Sequence, residues 1–90
     1  MHLSQLELLR MVAECGGYAG ASKQLGVVRS EIHRRIRSLE TEVGRRLFER
    51  EGRRVNLTKA GQRMLALDVR IREETGQTLS QIRDLSKARG

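Results

Sequence analysis

Proline is missing from this chain of 90 residues, and cysteine, tyrosine and phenylalanine occur once each. Without proline, helices and turns have to be ended by glycine and by capping side chains. The lone thiol, Cys15, excludes an internal disulfide and fits a reducing compartment. Tyr18 and Phe48 are the only aromatics, too few for the stacking platform that single-stranded nucleic acid or RNA needs. No apolar run is long enough to span a bilayer and no signal-peptide pattern opens the chain. A cytoplasmic protein with no membrane role is therefore expected.

Chemistry-bearing clusters are scarce too. No Ser/His/Asp or Cys/His set converges in the sequence, and no phosphate-binding glycine loop or carboxylate pair on a shared apolar face is present, so an enzyme is not expected. His2, Cys15 and His33 lie far apart with no ligand spacing, which argues against a metal, and nothing calls for a cofactor. A chain this short buries only about 60–65% of its unfolded surface, leaving little room for a walled substrate pocket.

What is plentiful is arginine. Lys23, Lys59 and Lys87 are the only lysines among 18 basic residues, and the formal net charge is +7. Such a balance points to an anionic partner, and arginine forks onto phosphate or guanine where lysine acts as a point charge. The charge is concentrated: residues 29–54 hold nine arginines against five glutamates, while residues 1–28 balance Arg10 and Lys23 against Glu7 and Glu14.

Hydrophobic periodicity organises the rest. Leu3, Leu6, Leu9, Met11 or Val12, and Ala13 predict a helix over 3–15, stopped by Gly16-Gly17. A second short helix is expected over 19–25, with Ala21, Ser22 and Leu25 inward, Gly26 as its stop and Val27 plugging the core from the turn. The third begins near Arg29 and ends at Gly44. At about 100° per residue, its Ile32, Ile36, Leu39 and Val43 form one stripe, and Ser30, His33, Arg34, Arg37 and Thr41 the opposite face. Two helices across a tight glycine turn, the second one basic, make a helix-turn-helix pattern, and a helix with that outer face suits the DNA major groove.

Leu47–Arg50, a Glu51-Gly52 turn and Arg53–Leu57 read as a basic hairpin, with Leu47, Val55 and Leu57 inward. Thr58 is a good N-cap for a long helix running from Lys59 to about Lys87. Along it Met64, Leu67, Ile71, Thr78, Ile82 and Leu85 recur at three- and four-residue steps, the spacing of a helix–helix seam. So small a body cannot cover that stripe, and a second copy of the chain is its simplest partner. Thr75 and Thr78 weaken the seam, and Gly76, costing about 1 kcal/mol in mid-helix, is a place for a break or bend.

The chain resembles the N-terminal DNA-binding domain of LysR-type transcriptional regulators over about residues 3–70, and residues 59–88 are similar to that family's linker helix. The resemblance rests on Leu3, Gln5 and Leu6, on Val12-Ala13-Glu14, and on Tyr18, Ala21, Leu25 and Val27. Its strongest part is Arg34-x-Ile36-x-x-Leu39-Glu40-x-x-Val43-Gly44-x-x-Leu47-Phe48-x-Arg50, followed by Leu57-Thr58-x-Ala60-Gly61. It implies a mainly α, winged helix-turn-helix fold: three helices and a two-stranded β wing over residues 1–58, then a dimerising helix over 59–90. It also implies regulation of transcription by a homodimer on imperfect inverted repeats in promoters, with double-stranded DNA as partner and RNA polymerase as a further candidate.

The start of the third helix departs from the pattern. Where the family usually has a Ser-Gln-Pro-Ala-like or Ser-Gln-Ser-Ala-like run, this chain has Val28-Arg29-Ser30-Glu31, and His33 replaces a serine one turn on. Losing serine at 28 removes an N-cap worth about 1 kcal/mol. The fold is thus implied and the base sequence read is not.

In the major groove we expect Arg29, Ser30, His33, Arg34 and Arg37, and on phosphates or the minor groove Arg35, Arg50, Arg53 and Arg54. For Arg34 and Arg37 the structural alternative is a solvated face paired with Glu40 or Glu42, and for Ser30 a helix cap. Glu31 and Glu51 either tune register and reject wrong sequences or pair with neighbouring arginines. The rival function is a dimerisation or protein-interaction module with only non-specific DNA binding. The sequence is compatible both with a fragment of a longer regulator and with a stand-alone domain.

Overall fold

A computed structural model describes the backbone of residues 1–89 and the side chains through Leu85; residue 90, the end of the expected 59–90 unit, lies outside it. The elements run α1 (Leu3–Cys15), α2 (Tyr18–Leu25), α3 (Arg29–Val43), β1 (Phe48–Glu51), β2 (Arg54–Leu57) and α4 (Lys59–Arg89). This is the expected winged helix-turn-helix with a long C-terminal helix. Three helices stop as a proline-free chain must, with Gly16, Gly26 and Gly44 at φ of 73°, 66° and 76°. In that left-handed region a side chain would be strained.

The core joins one face of α1 (Leu8, Leu9, Val12) to Ala21 of α2, the Ile32–Ile36–Leu39 stripe of α3, and Leu47, Phe48 and Val55 around the wing. Two expected core positions are outside it. Leu25 is 40% exposed, because the chain turns at Gly26 and Val27 supplies the plug instead. Val43 is 38% exposed, since the fully buried Leu47, brought round after Gly44, closes the core at that end. The hairpin also shifts slightly: its strands are antiparallel with Phe48 opposite Leu57 and Glu51 opposite Arg54, so the turn falls on Gly52-Arg53.

α4 begins as part of the body. The Thr58 hydroxyl accepts the Gly61 N–H at 3.1 Å, the expected N-cap bond, and donates to the Arg46 carbonyl at 2.6 Å. Gly61 lies against the wing root, where a Cβ would fall inside the contact distance of the Leu47 carbonyl oxygen and 2.7 Å from Leu57 Cδ2. Ala60, Met64 and Leu65 pack on the core. One turn further on, the buried Asp68 accepts from Arg72 Nε at 3.0 Å and lies 3.9 Å from Arg10 Nε, tying α4 to α1.

Beyond this tie α4 still borders α1 along a groove lined by Leu3, Leu6, Ile71 and Leu79, and past it the helix projects; the molecule measures 57 Å along its long axis against 27 and 19 Å across. No break occurs at Gly76; α4 is continuous through it. The main-chain bonds of the flanking turns outweigh the glycine's cost of about 1 kcal/mol. No described helix is long and apolar enough to cross a membrane.

Candidate nucleic-acid interface

α3 is positioned from beneath and from behind. Its inward stripe is almost completely buried, so the helix cannot roll without exposing Ile32, Ile36 and Leu39. The turn leading into it is tied by the Ser22 hydroxyl, which donates to the Val27 carbonyl at 2.6 Å. Val28 stands at the N-cap with no side-chain cap bond, and Ser30, exposed in the first turn, does not substitute for it. At the other end Glu40 accepts the Leu47 and Phe48 N–H groups at 2.7 and 3.4 Å and pairs with Arg46 at 3.5 Å. That carboxylate fixes the root of the wing to α3.

The outer surface of α3 presents Arg29, Ser30, Arg34 and Arg37 to solvent, with Arg35 exposed toward α1. Arg34 is not paired with Glu40 or Glu42. Its partner is Glu31, whose carboxylate accepts from Arg34 Nε at 3.1 Å, from Arg34 Nη2, and from Arg35 Nε at 2.9 Å. The Arg34 fork and the single Arg35 bond hold the Glu31 carboxyl down to about 2, from its ordinary 4.5, so it is charged across the whole working pH range.

His33 is only half exposed, because its ring stacks on Tyr18 with centroids 3.7 Å apart and planes 21° off parallel. Tyr18 in turn meets Phe48 edge-on at 6.2 Å, so three rings connect α3, α2 and β1. Burial pushes the His33 imidazole below its usual value of 6.5, and Arg50, Arg29 and Arg37 push the same way. Burial raises the Tyr18 phenol, helped by Glu40. Around these rings lies a hollow of about 300 Å³, also bordered by Arg37, Arg46 and Arg50.

The three wing arginines part company. Arg50 lies opposite Val55, on the face that carries Phe48, and so looks toward α3; Arg54 is opposite Glu51 on the other face; Arg53 occupies the turn. Glu51 accepts from Asn56 Nδ2 at 2.7 Å. A further basic group was not anticipated: Arg45, Arg46, Lys59 and Arg63 surround the hollow where α3, the wing and α4 meet. Each looks ordinary in sequence, and only the Gly44 turn and the start of α4 bring them to one side. The Tyr18–His33 stack was missed for a similar reason, whereas the Glu31 clamp is a local Glu-to-Arg spacing that sequence alone displays.

This arrangement has known counterparts. Residues 3–62 match the model of the bacterial regulatory helix-turn-helix proteins of the lysR family, two-thirds of the chain. The chain belongs to the LysR family. Among LysR relatives, a probable nitrogen assimilation transcriptional activator of Synechococcus elongatus is 38% identical over 89 residues, 99% of this chain. The LysR match spans only 28% of that relative's length. The crystal structure of the DNA-binding domain of CbnR in complex with DNA superimposes with a TM-score of 0.80 at 36% identity, covering 96% of this chain and 99% of that one. A BenM DNA-binding domain bound to a catB site gives the same TM-score at 26% identity, covering 96% of each chain. The sequence match and the superposition thus agree on LysR membership and on the winged fold.

Proposed function

We propose that this chain reads double-stranded DNA at promoters, as a homodimer on an inverted-repeat site, and so regulates transcription from the cytoplasm. The observation that carries the reading is the docking of α3. Its Ile32, Ile36 and Leu39 are buried, so Arg29, Ser30, Arg34 and Arg37 project outward together beside a basic wing. Arg29, Ser30, His33, Arg34 and Arg37 enter the major groove, and Arg35, Arg50, Arg53 and Arg54 hold the flanking backbone. Phosphate contacts set the register and base contacts the sequence. The DNA-bound CbnR and BenM domains of the same fold support the partner. RNA polymerase is the machinery on which such a promoter-bound regulator acts.

Residues 1–58 are the reading body and 59–90 the dimerisation arm in this proposal. The seam runs along Leu67, Ile71, Thr78, Ile82 and Leu85, starting from Met64, which also packs on its own body. Its support is the apolar surface left uncovered: Leu79, Ile82 and Leu85 are 46, 55 and 67% exposed. Leu79 belongs to the groove that Leu3, Leu6 and Ile71 form between α1 and α4.

Selection of bound duplexes from a random pool at two salt concentrations tests the reading. The expected result is one preferred half-site, repeated in inverted orientation, with log affinity falling linearly in log salt. Arg53→Ala should weaken all duplexes alike and lower the salt slope by about one, while Arg34→Ala should also narrow the gap between the selected site and random DNA. Weak, sequence-blind binding at low salt would favour an interaction module instead. Light scattering should return twice the chain mass of 10.2 kDa; a monomer removes the arm's role.

A further inference from the structure

The family-atypical acid at the start of α3 stands where a DNA-reading surface should least tolerate negative charge. Glu31 is in the first helical turn, its side chain 29% exposed, and Arg34, 68% exposed, lies one turn on. As a bystander carboxylate it would repel every phosphate near the groove. The hydrogen bonds say otherwise. Glu31 Oε2 receives Nε of Arg34 and Oε1 receives Nη2, so the side-on fork of this guanidinium is fully occupied, while Arg35 Nε adds a third bond at 2.9 Å. A guanidinium has two forks, and the one that remains is end-on, made by Nη1 and the second Nη2 hydrogen. That fork matches O6 and N7 of guanine in the major groove. A free arginine side chain has four rotatable bonds and reaches phosphates and bases alike; a clamped one has a single direction.

We propose that Glu31 is a positioning residue for base recognition: it clamps the side-on fork of Arg34 and presents the end-on fork to one guanine of each half-site. The inference rests on the duplex-reading function proposed above. The positive end of the α3 dipole steadies the carboxylate from below, and the Glu-before-Arg order is the favourable one on a helix. Glu31 thus has its charge compensated by the helix and two arginines, and does not need the DNA to do so.

The test uses the full chain and three variants: Glu31→Ala, Arg34→Ala and the double substitution. Each is selected against the same random duplex pool and titrated against a fixed non-cognate duplex. The wild type should enrich a guanine that Arg34→Ala no longer enriches. Glu31→Ala should reduce the preference for that same guanine about tenfold, while binding the non-cognate duplex more tightly, because a negative charge has left the surface. In the Arg34→Ala background, removal of Glu31 should leave base preferences unchanged. Glu31 and Arg34 are solvent-accessible, so circular dichroism should show all four proteins folded alike.

Two results overturn the inference alone. One is an unchanged guanine preference in Glu31→Ala. The other is loss of a different base, such as a cytosine read directly by the carboxylate, that persists without Arg34. If the wild type itself prefers no duplex, the functional reading fails first and takes the clamp with it.

Discussion

Replacing Gly61 by alanine sets two effects of one methyl group against each other. In a helix, alanine is worth at most about 1 kcal/mol more than glycine. At Gly61 the new Cβ would overlap the Leu47 carbonyl oxygen and approach Leu57 Cδ2 to 2.7 Å. The first of these is backbone and already accepts the Thr58 N–H at 3.0 Å, so it cannot swing aside as a side chain would. Either the wing root or the first turn of α4 must move. Movement strains the Thr58 cap at 3.1 Å and the Glu40 bonds that hold Leu47 and Phe48. Overpacking of this kind costs about 1–3 kcal/mol, and a weakened buried hydrogen bond about 1 kcal/mol more. Set against the helix gain, we expect a net loss of about 1–3 kcal/mol, a sizeable part of the 5–15 kcal/mol typical of a domain.

Urea unfolding followed by circular dichroism measures this, with an unchanged m-value showing that the surface exposed on unfolding is the same in both proteins. The same substitution at Gly76 is the internal control. No atom lies within 4 Å of a Cβ there, so Gly76→Ala should raise stability by about 1 kcal/mol. If Gly61→Ala proves as stable as the wild type, the close approach of α4 to the wing is not what requires glycine.

Other perturbations probe separate parts of the structure. Leu39→Ala removes a fully buried side chain at the α3 contact and should cost about 2–5 kcal/mol in the same urea assay. Asp68→Asn should cost about 2 kcal/mol, because it leaves the guanidinium of Arg10, 19% exposed, without its compensating charge; a melting temperature within error of the wild type would show that the tie is idle. For His33 the folded-state pKa lies below the unfolded 6.5, so the unfolded chain binds the extra proton as pH falls. The stability His33 contributes is therefore complete above 6.5 and lost as pH drops through the folded value. Melting temperature against pH should show that slope in the wild type and not in His33→Asn; a slope that survives the substitution assigns it elsewhere.

Periodic and local features were legible before any fold was known. The Ile32–Ile36–Leu39 stripe fixes which side of α3 faces outward, because helical geometry alone places those residues together. Glycine stops bound α1, α2 and α3 in a chain without proline, and Thr58 caps α4. The arm past Asp68 followed from an apolar repeat too long for the body to cover. Even Glu31's hold on Arg34 is a three-residue spacing. Expectation failed where a position's burial depended on what docks over it: Leu25 and Val43 keep the helical period but have no neighbour to cover them.

The sequence by itself thus determined the elements, their faces and the location of the positive charge, since each is set by residues within a turn or two of one another. Tertiary structure alone decided the long-range pairings. His33 lies against Tyr18, Asp68 is matched to Arg10, Arg50 turns toward α3 while Arg54 turns away, and Gly61 is obliged to be glycine by a carbonyl fourteen residues earlier. Such contacts join segments whose separation is fixed only when helices and wing dock around one core. No local periodicity records that docking.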